Sequence, residues 1–358
     1  VGVTDLQNLS IGTKEGWRKV VYAAPTPRPR LLSERELKAL RGSDLTAYNK
    51  QRRLWHANMG VLRTPQLARL HEHLEDIMSS NVQGGDRAKG AVAVEGDSNL
   101  GKSTAVELFA KEFHKRQIEE NGEFTDHGHE RHPVARVTLT GNPTIKDLNG
   151  SLLHYFAHPG NVSGNAGDFA RRALGLFLDC EVRLLVVDDL HFLRWESADG
   201  SKVSNQLKYL ANDFPVTMLL VGVGLTDLGL YRRGRTFGKA VLGPTAHRTT
   251  SYPLVPFTCK TPDARKEWRT VVKAIERSLV LTHHQDGMLA RTLSDYLFAR
   301  TSGYMGSLVS LVNRGCARAM RTGAEALTEE LLDQVQIDVA AESARKQTAR
   351  LLRANTAA

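Results

Sequence analysis

The sequence is poor in the features that mark secreted and membrane proteins. Only three cysteines occur in 358 residues, Cys180, Cys259 and Cys316. They are odd in number and far apart, which excludes a disulfide framework and fits a reducing cytoplasm. No run approaches 18 consecutive apolar residues, so no membrane-spanning helix is expected. Residues 1–10 lack the basic-then-apolar pattern of a signal peptide. Hydrophobic residues make up 41 % and charged residues 24 %, values that exclude wholesale disorder, a collagen repeat and a disulfide miniprotein. The length suggests two domains, or one large domain with a helical annex, and suffices for a large core without staples.

The net charge of +9 is unevenly placed. Residues 1–75 carry 13 basic and 7 acidic side chains, and residues 342–358 carry 4 basic and 1 acidic. The middle is therefore neutral. Basic ends around a neutral core point to a polyanion met by the flanks.

Residues 23–30, with three prolines, should be extended. Ser33 reads as an N-cap, with Glu36 completing a capping box. Leu67, Leu70, Leu74 and Ile77 lie on one face of a helix predicted over residues 65–79. Beyond a Gly84-Gly85 loop, strands and helices alternate. Strands are predicted at residues 91–95, 134–139, 183–187, 216–223 and 251–257, and helices at 104–117, 145–156, 169–178 and 203–211. This alternation implies an α/β fold with a parallel sheet flanked by helices. From Thr261 onward the pattern is helical.

One stretch carries chemistry outright: Gly96-Asp97-Ser98-Asn99-Leu100-Gly101-Lys102-Ser103-Thr104. It fits G-x-x-x-x-G-K-[ST] between a predicted strand and a predicted helix. The glycines let the loop close around phosphates, and amides at a helix N-terminus bind the anion. Lys102 would reach the β and γ phosphates of ATP, and the Ser103 hydroxyl would ligate Mg²⁺. A second stretch, Leu184-Leu185-Val186-Val187-Asp188-Asp189, reads as a buried strand with two carboxylates at its C-terminal end, where open α/β sheets bind ligands. Asp188 would hold Mg²⁺ through water, and Asp189 would orient or deprotonate the attacking water.

Together with several downstream runs, these residues resemble the AAA+ ATPases of transposition, the TniB/TnsC family, and more distantly Mu B and the IstB helpers. The resemblance rests on Val187-Asp188-Asp189-Leu190-His191-Phe192-Leu193, on Ser204 to Val216 with its Leu207-Lys208-Tyr209-Leu210-Ala211-Asn212-Asp213 run, and on Val221-Gly222. Ser302 to Leu308 resembles the family's lid motif, and Thr322 to Thr328 its "TGxExIT". The likeness spans about residues 60–335. It implies an AAA+ P-loop NTPase core over residues 81–258 and a C-terminal α-helical lid over 259–340. These lie between an N-terminal basic arm with helices (1–80) and a basic C-terminal tail (341–358).

The resemblance further implies ATPase activity with Mg²⁺ and side-by-side assembly into a ring or helical filament on double-stranded DNA. Its partners would be a transposase of the DDE type and a TniQ-like target selector, in the cytoplasm and away from membranes. A neighbour's arginine would complete each ATP site; the pattern points to Arg248, with Arg232, Arg233 and Arg235 as rivals. Lys146, after the second strand, matches the pore-facing region that touches DNA. The alternatives are a helicase loader or replication initiator, an ATP-gated scaffold that scarcely hydrolyses, and a small-molecule P-loop kinase. The sequence departs from the family in three places. Asp189 stands where glutamate is usual, Thr226 is the nearest substitute for the polar residue that senses the γ-phosphate, and Ser307 replaces a lid arginine.

Weaker signals remain. Tyr48 to His56 interleaves bases and aromatics. Arg52 and Arg53 there either grip a DNA backbone or belong to an amphipathic helix docked with Leu54 and Trp55 inward, the preferred reading. His127, His129 and His132 have no cysteine nearby and sit in what reads as an exposed insertion, so they are not taken as a metal site.

Overall fold

A computed structural model describes residues 10–82, 89–141, 143–161, 163–190, 206–207, 209–210, 212–214, 216–225 and 249–356. The chain divides into two compact units. Unit 1 comprises residues 1–23, 66–98 and 102–254, and unit 2 comprises 24–65, 99–101 and 255–358.

Unit 1 is built on five parallel strands: β1 (Ala91–Glu95), β2 (Val134–Thr138), β3 (Leu184–Asp188), β4 (Thr217–Gly222) and β5 (Thr249–Pro253). Their order is β2-β3-β4-β1-β5. The central strands β3 and β4 are buried along their whole length, as their unbroken apolar runs require when helices cover both faces. β5 is an edge strand and largely exposed. The sequence pattern placed it at residues 251–257, whereas it pairs with β1 from Thr249 and stops at Pro253. Leu254 N–H still donates to the Glu95 carbonyl at 2.7 Å, and Pro256 beyond it supplies no N–H to carry the ladder on.

The helices of unit 1 are α1 (Lys14–Val21), α4 (Pro65–Ser80), α5 (Lys102–Asn121), α6 (Ile145–Tyr155) and α7 (Ala166–Asp179). Leu67, Leu70 and Leu74 form the buried stripe of α4. Thr144 with Asp147 and Asn165 with Asp168 make capping boxes that fix where α6 and α7 begin. α1 is held to α5 by Trp17, which is 1 % exposed and donates its indole N–H to His114 Nδ1 at 3.2 Å.

Unit 2 contains α2 (Glu34–Ala39) and α3 (Gly42–Ala57), then α8 (Pro262–Glu276), α9 (Ser294–Thr301), α10 (Met305–Thr322), α11 (Glu329–Asp333) and α12 (Val339–Thr356). Ser33 caps α2 and closes the expected box with Glu36. One core runs from Phe257 through Trp268, Leu297, Leu311 and Leu332 to Leu352. Residues 24–65 join this core: Trp55 donates to the Ser278 carbonyl at 2.6 Å, and Val280 N–H donates to His56 Nε2 at 3.1 Å. The stretch expected as a basic tail lies almost wholly in α12, which packs on α9 and ties Arg345 to Asp333. At Gly303, φ is +78°, and a Cβ would fall 2.1 Å from the Phe257 carbonyl oxygen. Only glycine permits that approach.

Candidate nucleotide site

The sheet order sets β1 and β3 on either side of β4, so their C-terminal ends open side by side. The loop after β1 turns through left-handed positions at Gly96 (φ +149°), Asn99 (φ +69°) and Gly101 (φ +85°) and enters α5 at Lys102. The loop thus leads into the start of a 20-residue helix, where first-turn amides have no intrahelical partner, the arrangement that binds phosphate. Asp97, Ser98 and Asn99 are exposed, while Leu100, Gly101 and Ser103 are half-buried. Thr104 lies exposed on the first turn of α5.

Lys102 is 8 % exposed, and its ammonium donates to the Asp97 carbonyl at 2.6 Å. Burial pulls its pKa down, and the carboxylates of Asp188, Asp97 and Asp189 pull it back up. An ammonium engaged by its own loop at one of three donors is poised for a better anion.

At the end of β3, Asp188 is 4 % exposed and accepts from Ser103 Oγ at 3.2 Å. A hydroxyl and a carboxylate are the hard oxygen donors that suit Mg²⁺, and the pair lies beside the phosphate loop. The residues therefore fit a magnesium nucleotide. The loop and Lys102 would hold its phosphates, Ser103 and Asp188 its metal, and the metal would neutralise phosphate charge. Asp189 is half-buried at φ +57°, with its N–H turned onto Asp188 Oδ1 at 2.9 Å. Aspartate tolerates this left-handed backbone better than most residues.

The sequence reading missed Arg136. Its side chain, 10 % exposed, reaches Asp188 Oδ2 at 3.1 Å and Glu107 Oε1 at 3.2 Å, and donates to Thr138 Oγ1 at 3.0 Å. Burial raises the pKa of Glu107, opposed by the Arg136 charge. A clue was present, since Arg136 interrupts the otherwise apolar Val134–Val137 run in the middle of a strand.

Other expected site residues fall elsewhere. Arg52 does not face solvent. It is 1 % exposed and pairs with Glu325 through both terminal nitrogens, at 2.6 and 2.9 Å. That corrects its assignment as a phosphate contact, because the side chain is buried and both terminal nitrogens are taken up inside unit 2. Arg53 beside it is exposed, and Leu54 and Trp55 are half-buried. Lys146 is exposed in the first turn of α6, with its ammonium 5.4 Å from the Phe169 ring centre. Arg248, Arg232, Arg233, Arg235 and Thr226 lie outside the described residues. His132 is a core residue bonded to the Tyr155 hydroxyl at 2.9 Å, whereas His127 and His129 are exposed. Among the described residues no cluster of His, Cys, Asp or Glu could hold a metal by itself. In unit 2, Ser307 Oγ accepts from the Asn99 side chain at 2.9 Å and donates to Asp338 at 2.6 Å, so the residue in place of the lid arginine has a binding partner of its own.

Residues 53–229 match the family model of the bacterial TniB protein. The match covers just under half of the chain. The TniB stretch runs from the middle of α3 past β4 and takes in the phosphate loop and the Asp188–Asp189 pair. No curated protein matches the chain in sequence. Solved structures share the fold. The Aeropyrum pernix ORC2 protein in its ADP form has a TM-score of 0.58 at 14 % identity, over 79 % of this chain and 71 % of that one. The Aeropyrum pernix ORC1 protein in complex with DNA has 0.52 at 14 %, over 92 % and 69 %. Drosophila ORC bound to DNA has 0.52 at 12 %, over 89 % and 72 %. The architecture is thus that of an AAA+ P-loop protein. No helix among the described residues is long and apolar enough to cross a membrane.

Proposed function

We propose that this TniB-type protein is an ATP-dependent, DNA-binding regulator of transposition. ATP binding with Mg²⁺ drives its assembly on duplex DNA as a ring or filament. The assembly marks a target and recruits a DDE-type transposase, with a TniQ-like selector as a further partner, in the cytoplasm at the nucleoid. The observation that carries this reading is the joining of Lys102, Ser103 and Asp188 at one end of the sheet, inside the stretch that matches TniB. Two structural neighbours are bound to DNA, which supports a nucleic-acid partner here.

In this reading, residues 96–104 bind ATP, and Ser103 and Asp188 hold the metal. Asp189 activates water, and Arg248 reaches a neighbour's nucleotide. Aspartate in place of glutamate makes hydrolysis slow, so that turnover waits on the transposase. Lys146 and Arg53, both exposed, are the contacts to DNA phosphates. The test is electron microscopy and gel shift of the chain on duplex DNA, with and without a non-hydrolysable ATP analogue. The analogue should produce regular assemblies and tighter binding. Identical binding and particle size in both conditions would overturn the reading.

A further inference from the structure

A groove of about 400 Å³ runs along α8 in unit 2, bordered by the segment 286–291. Trp268, Val271, Val272 and Ile275 turn one face of α8 into the core. Arg265, Lys266, Arg269 and Lys273 occupy the opposite face, at spacings of one, three and four residues, and Arg291 faces them from across the groove. Side chains three and four apart on a helix are neighbours on its surface, so the cations form a stripe along α8, which is about 22 Å long.

These charges are not committed within the protein. Arg265 lies 3.4 Å from Asp295. The side chains of Lys266, Arg269, Lys273 and Arg291 have no partner among the described residues, and all four are exposed. Two carboxylates line the groove. Glu276 is 3 % exposed and taken up by the Leu289 N–H at 2.7 Å and by His284 at 3.2 Å, which leaves Asp286 as the exposed one. The shape is also specified. Gly287 has φ +92°, and a Cβ there would sit 3.0 Å from Arg291 Nε. The bare backbone lets the Arg291 side chain lie back over it.

We propose that this groove is a binding site for the phosphodiester backbone of duplex DNA, separate from the Lys146 and Arg53 contacts and located on the helical unit. It rests on the DNA-binding reading above and adds a second place where the duplex is held. Three uncommitted cations along α8, with Arg291 across the groove, match a polyanion of regular charge spacing, and arginine forks suit phosphate oxygens. The apolar lining is limited to Pro262 and Ala290. An acidic protein partner would need an aromatic or aliphatic anchor pocket, and the groove offers none. Contacts of this type are blind to base sequence and strongly dependent on salt.

The test uses the full chain with a non-hydrolysable ATP analogue and a fluorescent duplex of mixed sequence, read by anisotropy across a salt series. A groove variant carries Lys266→Gln, Arg269→Gln and Lys273→Gln. A control variant carries Lys260→Gln, Arg277→Gln and Arg321→Gln, the same charge loss at exposed sites of unit 2 outside the groove. The groove variant should bind at least about tenfold more weakly at 0.1 M salt, and its plot of log affinity against log salt should flatten by about three. The loss should be the same on unrelated sequences, while the control stays near wild type. Equal effects of the two variants overturn the groove. So does unchanged DNA binding by the groove variant with loss of an acidic protein partner. If the unaltered chain binds no duplex at all, the DNA-binding reading itself falls and takes the groove with it.

Discussion

Arg52 in unit 2 and Arg136 in unit 1 are both withdrawn from water and both lie against carboxylates. Arg52 meets Glu325 with both terminal nitrogens, and the same carboxylate also takes the Thr282 N–H at 3.2 Å. Asn49 adds a further acceptor to the arginine. The charge is closed within the chain and both terminal nitrogens are engaged, so the pair holds α3 to the helices behind it. Arg136 instead covers one oxygen of Asp188, while the other faces Ser103 and the backbone of Asp189. This second arrangement has a guanidinium where a metal's charge would act. Buried charge of the same kind thus serves structure where its carboxylate partner lies in a helical core, and can serve ligand binding where that carboxylate stands beside a phosphate loop.

The largest effect on nucleotide affinity that can break this contrast is at Lys102, whose ammonium has a loop carbonyl for a partner. Lys102→Ala should weaken binding of a fluorescent ATP analogue by about a hundredfold, the worth of a charged hydrogen-bond donor. Its thermal midpoint without nucleotide should be little changed. A large loss of stability would mean that Lys102 is structural in the manner of Arg52.

Arg52→Ala should do the reverse, leaving nucleotide affinity alone and costing about 3–5 kcal/mol in denaturant unfolding, because Glu325 is left buried and unpaired. The double variant Arg52→Met with Glu325→Leu should recover most of that loss. Failure to recover would show that the pair contributes more than the mutual cancelling of two buried charges.

Acid should strike both units together. Burial pushes the pKa of His56 in unit 2 and His114 in unit 1 down to about 4, helped by the charges of Arg52 and Arg18 respectively. Both are neutral in the fold and take up a proton when unfolded near the ordinary value of 6.5. The unfolded state therefore binds more protons between about pH 4 and 6.5. Stability is complete above that window and is lost as pH falls through it. At pH 5 the loss should be about 2 kcal/mol per histidine, read as a lower denaturant midpoint than at pH 7.5. A midpoint that stays level would mean that the histidines are not held neutral.

The same contrast separates what the sequence made legible from what it hid. β1, the phosphate loop and β3 were readable because their signals are local: a short apolar run, glycines at fixed offsets, carboxylates at a strand end. The capping box at Ser33 was readable for the same reason. The fates of Arg52 and Arg136 were not, because burial depends on residues far along the chain. Glu325 is 273 positions from Arg52, and no pattern within a few residues distinguishes Arg52 from exposed Arg53. β5 was displaced because its residues are polar and its limit is set by prolines rather than by apolar periodicity. The groove along α8 was missed because the helical pattern identifies its buried face but not what stands across from the exposed one.

The smallest expected effect sharpens the comparison most. Arg136→Gln removes a charge that competes with a cation for Asp188. Binding of the fluorescent ATP analogue, followed as Mg²⁺ is titrated, should reach its midpoint at about tenfold lower Mg²⁺, the equivalent of about 1.4 kcal/mol of relieved competition. If Arg136 instead orients Asp188 for the metal, as a second-layer partner does, the midpoint should move upward. Arg136→Lys separates the two cases. It keeps the charge but loses the fork that spans Asp188 and Glu107, so a competitor would leave the midpoint near wild type and an orienting group would raise it as much as glutamine does.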